Sequence, residues 1–108
     1  MTDFASVRTR LKPGMEEPYR IAHSQIWPEL LVAQRKAGIK RWLIFRDGLD
    51  LFHSVEADNF EAAIAQLENN PVDKRWQVEM AQYTVERDDN QGPAARMLPL
   101  IYNGDLTR

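Results

Sequence analysis

Residues 39–56 read IKRWLIFRDGLDLFHSVE. Two runs in this stretch, residues 39–45 and 49–56, are rich in aromatic and β-branched side chains, and Asp47-Gly48 separates them. Aromatic and β-branched residues favour strands, and an Asp-Gly pair between two such runs is the strongest short-range signal of a β-hairpin. The stretch therefore predicts two antiparallel strands joined by a tight turn.

A helical pattern precedes this hairpin, over residues 15–37. Tyr19, His23 and Trp27 recur at intervals of four, which places them on one face of a helix. Pro28 falls in the middle of the segment and lacks a backbone N–H, so it predicts either a kink or the start of a second helix.

The remaining elements flank the hairpin and this helical segment. Asp58 is the predicted N-cap of a helix that runs to Leu67. The other predicted elements are a first strand at residues 4–11, a helix at 72–83, a polar loop at 87–95 and a last strand at 97–102. The order β-α-β-β-α-α-β is close to the split βαβ arrangement of ferredoxin-like α+β folds, with one antiparallel sheet and helices on one face.

The length of 108 residues suits one domain over residues 1–108. An antiparallel sheet with helices on one face leaves its other face to be covered. We therefore expect a homodimer of the α+β barrel type, in which the sheets of two copies cover each other.

Composition excludes several classes of function. With 14 basic and 16 acidic residues, the net charge is −2, so nothing favours binding to nucleic acid. The absence of cysteine excludes disulfides and cysteine-ligated metals, and it suits a reducing compartment. We find neither a signal peptide nor an apolar run long enough for a membrane span, and we expect a cytoplasmic protein with no membrane partner.

The two histidines are the candidates for proton transfer, because histidine titrates near neutral pH. His23 lies between Tyr19 and Trp27, and a flat aromatic surface beside a titrating group suits a sugar ring. The same stripe is also typical of a buried helix face. His53 lies mid-strand and is interpreted first as a satisfied core or interface residue, and second as another proton-transfer group. No HExxH spacing or acidic cluster accompanies either histidine, so no metal site is predicted.

Residues 19–30 read YRIAHSQIWPEL and resemble the pattern Y-x-x-x-H-N-x-I-W-P-E-L of the L-rhamnose mutarotase family. Arg75-Trp76 is similar to the R-W-W segment of that family, and Asp89-Asn90 to its D-N pair. The resemblance extends over most of the chain.

This resemblance implies a dimeric isomerase that interconverts the α and β anomers of a monosaccharide without metal or cofactor. By position, His23 would be the proton donor, and Tyr19 would bind the sugar or help to protonate it. Trp76 would line the pocket, Trp42 stands where the family commonly has a sugar-contacting tyrosine, and Trp27 would pack against the apolar face of the sugar.

Three positions depart from the family pattern, at Ser24, Trp42 and Gln77. Gln77 replaces the second tryptophan of the R-W-W segment and is a further predicted substrate contact. These changes affect the pocket wall and bear on the identity of the sugar more than on the reaction. We therefore expect L-rhamnose or a related 6-deoxy-hexose as substrate. Two alternatives stay open, namely a cofactor-free monooxygenase of the dimeric α+β barrel type and a sugar-binding paralogue without catalysis.

Overall fold

A computed structural model describes residues 2–86 and 95–107 of the chain. Its helices and strands are β1 (Asp3–Arg10), α1 (Glu16–His23), α2 (Pro28–Lys36), β2 (Ile39–Asp47), β3 (Asp50–Ala57), α3 (Phe60–Glu68), α4 (Pro71–Ala81) and β4 (Arg96–Leu98). The strands form one sheet in the order β2-β3-β1-β4, with all neighbours antiparallel. The predicted ferredoxin-like α+β fold is confirmed.

The hairpin predicted at Asp47-Gly48 joins β2 to β3. Asp47 pairs with Asp50 next to the turn, and Trp42 pairs with Val55 further along the strands. Gly48 has a φ of +59°, a left-handed conformation that glycine adopts without steric cost. This hairpin fixes which side chains of β3 point toward the helices.

Pro28 divides the helical segment in two. It occupies the first turn of α2, where a missing N–H leaves no helical hydrogen bond unmade. Trp27 before it is extended, with φ −61° and ψ 129°, because the proline ring disfavours a helical conformation at the preceding residue. Of the two predicted outcomes, a second helix is therefore the one observed.

The predicted N-cap at Asp58 is wrong, because Asn59 caps α3. The Asn59 side chain accepts a hydrogen bond from the backbone N–H of Ala62 at 2.9 Å. Asp58 still belongs to the end of the sheet, since its backbone N–H donates to the carbonyl of Gly38 at 3.0 Å. Its carboxylate lies 3.2 Å from the Lys40 ammonium instead of over the helix.

The last strand is shorter than the predicted residues 97–102. It covers Arg96–Leu98 and pairs with β1 only as far as Ser6. Pro99 then ends the ladder, because proline has no backbone N–H to donate. Beyond it Ile101 is 88% exposed.

The helix predicted at residues 72–83 begins and ends earlier, at Pro71–Ala81. Residues 87–94 of the predicted loop lie outside the described residues.

All four helices cover one face of the sheet, and the core lies between the two layers. It consists of two clusters of buried side chains. The first contains Leu11, Tyr19, Leu30, Leu51, Trp76 and Met80, and the second Ala33, Ile39, Val55, Ala57, Ala63 and Leu67. On the opposite face of the sheet, Phe4, Leu43 and Phe45 are 44%, 42% and 60% exposed. Among the described residues, the helices thus cover one face of the sheet, and apolar side chains on the other face stay partly exposed.

Replacing Asn59 with alanine should lower the free energy of unfolding by about 1 kcal/mol, because the first turn of α3 loses its capping oxygen. Asp58→Ala is the matched control and should cost less, since it removes only an exposed ion pair. Urea unfolding followed by circular dichroism measures both. A larger loss in Asp58→Ala than in Asn59→Ala would contradict the assignment of the cap.

Candidate active site

Helix α1 presents Tyr19 and His23 on one face, one turn apart. Tyr19 is buried, and His23 is half-buried at the C-terminal end of the helix. Their ring centroids lie 4.2 Å apart, with 39° between the ring planes. The two predicted catalytic residues therefore form one compact unit.

The imidazole of His23 is held in one tautomer. Its Nδ1 lies 2.9 Å from the backbone carbonyl oxygen of Tyr19. A carbonyl oxygen only accepts hydrogen bonds, so Nδ1 carries the hydrogen of the neutral ring, and Nε2 is the nitrogen that can accept a proton. Burial lowers the pKa of His23 below its ordinary value, and the hydrogen bond to Tyr19 opposes this less strongly. At neutral pH His23 is therefore a neutral base.

The hydroxyl of Tyr19 stays protonated. Burial raises the pKa of Tyr19 well above its ordinary value, because the phenolate would be poorly solvated. Tyr83 packs edge-on against the ring of Tyr19, with 6.3 Å between centroids. Tyr19 can donate a hydrogen bond to a substrate oxygen but is a poor base.

Two tryptophans extend this unit into a continuous aromatic surface. Trp76 on α4 lies edge-on to His23, with 5.4 Å between centroids. Trp27 lies edge-on to Trp76 at 5.1 Å. The guanidinium of Arg75 stands 5.7 Å from the centroid of Trp27, and it lies 3.9 Å from the carboxylate of Glu29. The break before Pro28 thus places Trp27 where α2 and α4 both hold it.

An open cavity of about 450 Å³ lies between α1 and α4. Trp27 and Trp76 form part of its wall, and Trp76 also contacts His23. The other lining residues are Pro18, Ile21, Ala22, Gln25, Glu79 and Tyr83. Aromatic rings with a few polar side chains are typical of a site for a small polar ligand.

A second group of linked side chains lies on the sheet and consists of Trp42, His53 and Thr9. The indole N–H of Trp42 donates to Nδ1 of His53 at 3.0 Å, and Nε2 of His53 lies 3.1 Å from the hydroxyl oxygen of Thr9. Burial and, to a smaller extent, the charge of His23 lower the pKa of His53 to about 4. The two histidines are therefore close enough to interact electrostatically, one from the helix layer and one from the sheet.

Gln77 is not joined to this group by any described contact. It lies on the exposed side of α4, one turn after Asp73. Its role as a substrate contact stays a prediction.

The sequence analysis did not single out Thr9 and Tyr83 as residues of the site. Tyr83 follows Trp76 by seven residues, a helical spacing that signals a shared face. Thr9 has no comparable signal, since its role depends on strand pairing.

Within residues 2–86 and 95–107, no three histidine, aspartate or glutamate side chains are grouped so that they could hold a metal ion. Across the same described residues, no helix has the length and apolar character needed to cross a membrane.

The sequence of this chain matches those of known proteins. The sequence model of the L-rhamnose mutarotase family matches residues 5–103. An L-rhamnose mutarotase of Sinorhizobium fredii is 36% identical over 97 residues, which cover 89% of this chain and 92% of that protein. One of Burkholderia orbicola is also 36% identical over 97 residues, covering 88% and 92% of the two chains.

Solved structures agree on the fold. The crystal structure of an L-rhamnose mutarotase from Formosa agariphila superposes with a TM-score of 0.82 at 23% identity, covering 95% of this chain and 99% of that one. A putative antibiotic biosynthesis monooxygenase from Nitrosomonas europaea superposes with a TM-score of 0.61 at 15% identity, over 94% and 100% of the chains. At such identities the likeness concerns the fold alone. The family model and the curated relatives carry the assignment, and this chain belongs to the L-rhamnose mutarotase family.

Proposed function

We propose that this protein interconverts the α and β anomers of L-rhamnose, or of a related 6-deoxy-hexose, by opening and closing the sugar ring. The observation that carries the proposal is the tautomer of His23. Its Nδ1 is engaged by the Tyr19 carbonyl at 2.9 Å, which leaves Nε2 as the base, on a ring 4.2 Å from that of Tyr19 between centroids. Membership of the family supports the same reaction.

Ring opening moves one proton from the anomeric hydroxyl to the ring oxygen. Nε2 of His23 takes the proton from the anomeric hydroxyl, and the electron pair of the breaking bond between C1 and the ring oxygen goes to that oxygen. The imidazolium then returns the proton to the ring oxygen, while Tyr19 donates a hydrogen bond to the sugar. Closure onto the other carbonyl face reverses these steps. A well-placed acid or base contributes about 10²–10⁴-fold, and this reaction needs no metal or cofactor.

The tryptophans would hold the apolar side of the sugar. Trp76 packs edge-on against both His23 and Trp27, and Trp42 on β2 would reach the sugar from the side of the sheet. Large flat indole surfaces suit the C–H face and the methyl group of a deoxysugar. We keep Gln77 as a proposed contact at the outer side of α4.

We propose a homodimer in the cytoplasm. Phe4, Leu43 and Phe45 lie on the sheet face opposite the four described helices, and Phe45 pairs across the strands with Phe52. A second copy packed on this face would bury these side chains, and apolar burial is the main driving force of association. The absence of cysteine suits a reducing compartment.

His23→Ala should lower the enzyme-catalysed anomer exchange of L-rhamnose by about 10²–10⁴-fold, because the proton-transfer group is lost. Saturation-transfer NMR on the anomeric proton signals measures the exchange rate. Arg20→Ala on the exposed side of α1 is the control and should leave the rate unchanged. Equal rates in the wild type and His23→Ala would refute the assignment. Sugar binding by the wild type without faster exchange would instead indicate a non-catalytic paralogue.

The exchange rate should fall as the pH is lowered. Burial lowers the pKa of His23. Above that pKa the imidazole is neutral and can accept a proton, and below it the imidazole is protonated and cannot act as a base. We expect a constant rate above pH 6.5 and, at lower pH, a fall of about tenfold per pH unit once His23 is protonated. The rate without protein is subtracted at each pH. A rate that rises on acidification would show that His23 acts from its protonated form.

Light scattering after size-exclusion chromatography should give twice the chain mass of 12.5 kDa. Phe45→Glu should give the monomer mass, because a carboxylate on the open sheet face cannot be buried without a partner. Leu31→Glu is the matched control, since Leu31 is also exposed but lies on α2. A monomeric wild type would refute the dimer.

A further inference from the structure

His53 lies in the middle of β3, on the sheet face that the helices cover. It pairs directly with Val7 on β1 and Ile44 on β2. Its hydrogen-bond partners are the diagonal neighbours, Thr9 on one side and Trp42 on the other. Diagonal neighbours in a sheet are within reach of long aromatic side chains. Each neighbouring strand therefore supplies one partner to the imidazole.

The direction of these two hydrogen bonds follows from chemistry. An indole N–H only donates, so Nδ1 of His53 accepts from Trp42 and carries no hydrogen. In the neutral ring the hydrogen is then on Nε2, which donates to the hydroxyl oxygen of Thr9. This is the opposite tautomer from that of His23, whose hydrogen is on Nδ1.

We infer that His53 is a positioning residue, which accepts the indole N–H of Trp42 so that Trp42 presents only its apolar ring to the sugar. Both nitrogens of His53 are engaged within the protein, so His53 transfers no proton in the reaction. The inference deepens the proposed mutarotase function and rests on it for the identity of the ligand.

The contact between His53 and Trp42 has two consequences. Trp42 is half-buried, and an indole with its N–H bonded is held in one orientation. Because that N–H is the only polar atom of the side chain, Trp42 has none left for a sugar hydroxyl. A hydroxyl placed against the ring would lose its hydrogen bond to water, so this wall favours a C–H or methyl group. Burial keeps His53 neutral near pH 7, which preserves the lone pair on Nδ1.

Two conservative variants separate the two nitrogens of His53. His53→Asn places a carbonyl oxygen near the position of Nδ1, so it can still accept from Trp42 while the donor to Thr9 is lost. His53→Gln is the matched control, since its amide reaches the position of Nε2 and leaves the Trp42 N–H without an acceptor.

Each variant is measured in three ways, by the indole N–H signal of Trp42 in NMR, by the dissociation constant of L-rhamnose from NMR titration, and by the anomer exchange rate. His53→Asn should retain a slowly exchanging indole N–H and a dissociation constant near that of the wild type. His53→Gln should give a fast-exchanging indole N–H and roughly 3- to 10-fold weaker binding, the range of one lost hydrogen bond. Exchange at saturating sugar should change little in either variant.

The variant Trp42→Phe keeps a ring but removes the N–H. In that background, His53→Gln and His53→Asn should bind L-rhamnose equally well, because no donor is left to position. Equal binding and equal indole exchange in the two variants with Trp42 intact would overturn the inference. A loss of saturated exchange as large as that in His23→Ala would also overturn it, since His53 would then be a proton-transfer group.

These results are distinguishable from a failure of the proposed function. If the wild type does not accelerate anomer exchange of L-rhamnose, the mutarotase proposal fails. The indole N–H signals of His53→Asn and His53→Gln still decide the positioning role in that case, because they are recorded without sugar. A signal that differs between the two variants supports it, and an identical signal refutes it.

Discussion

The hydrogen bond between Nδ1 of His23 and the carbonyl of Tyr19 is the interaction on which the site depends. It ties the candidate proton-transfer group to the backbone of the same helix, so the helix and not a loop sets the position of the imidazole. It also leaves Nε2 as the nitrogen that can accept a proton. Burial then removes the charge from the ring, which makes His23 a base at neutral pH.

The two histidines show how partners give one residue type different roles. His23 bonds to an acceptor through Nδ1, so Nε2 is the nitrogen that can accept a proton. His53 bonds to a donor through Nδ1 and to Thr9 through Nε2, which uses both nitrogens. The imidazole is the same in both residues, so the difference arises from the neighbouring groups. For His23 the neighbour is a backbone carbonyl one helical turn earlier, and for His53 the neighbours are side chains on the adjacent strands. A buried, neutral His53 also adds no positive charge near His23.

Pro28 links the fold to the site. It begins α2 and keeps the preceding residue, Trp27, extended. The indole of Trp27 then lies edge-on to Trp76. Arg75 and Glu29 then hold Trp27 from the outside. The aromatic surface thus combines residues of α1 and α4 with Trp27, the residue that precedes α2.

The sequence by itself determined the hairpin, the position of the helices and the pairing of Tyr19 with His23, because these follow from local periodicity and turn chemistry. The family followed from the resemblance of residues 19–30 to the family pattern. The sequence misplaced the cap of α3 and the end of β4, since both depend on where strand pairing stops. It could not decide the role of His53, the position of Gln77 or the contribution of Thr9. Those depend on which side chains strand register and helix packing bring together, and only the tertiary structure sets these contacts.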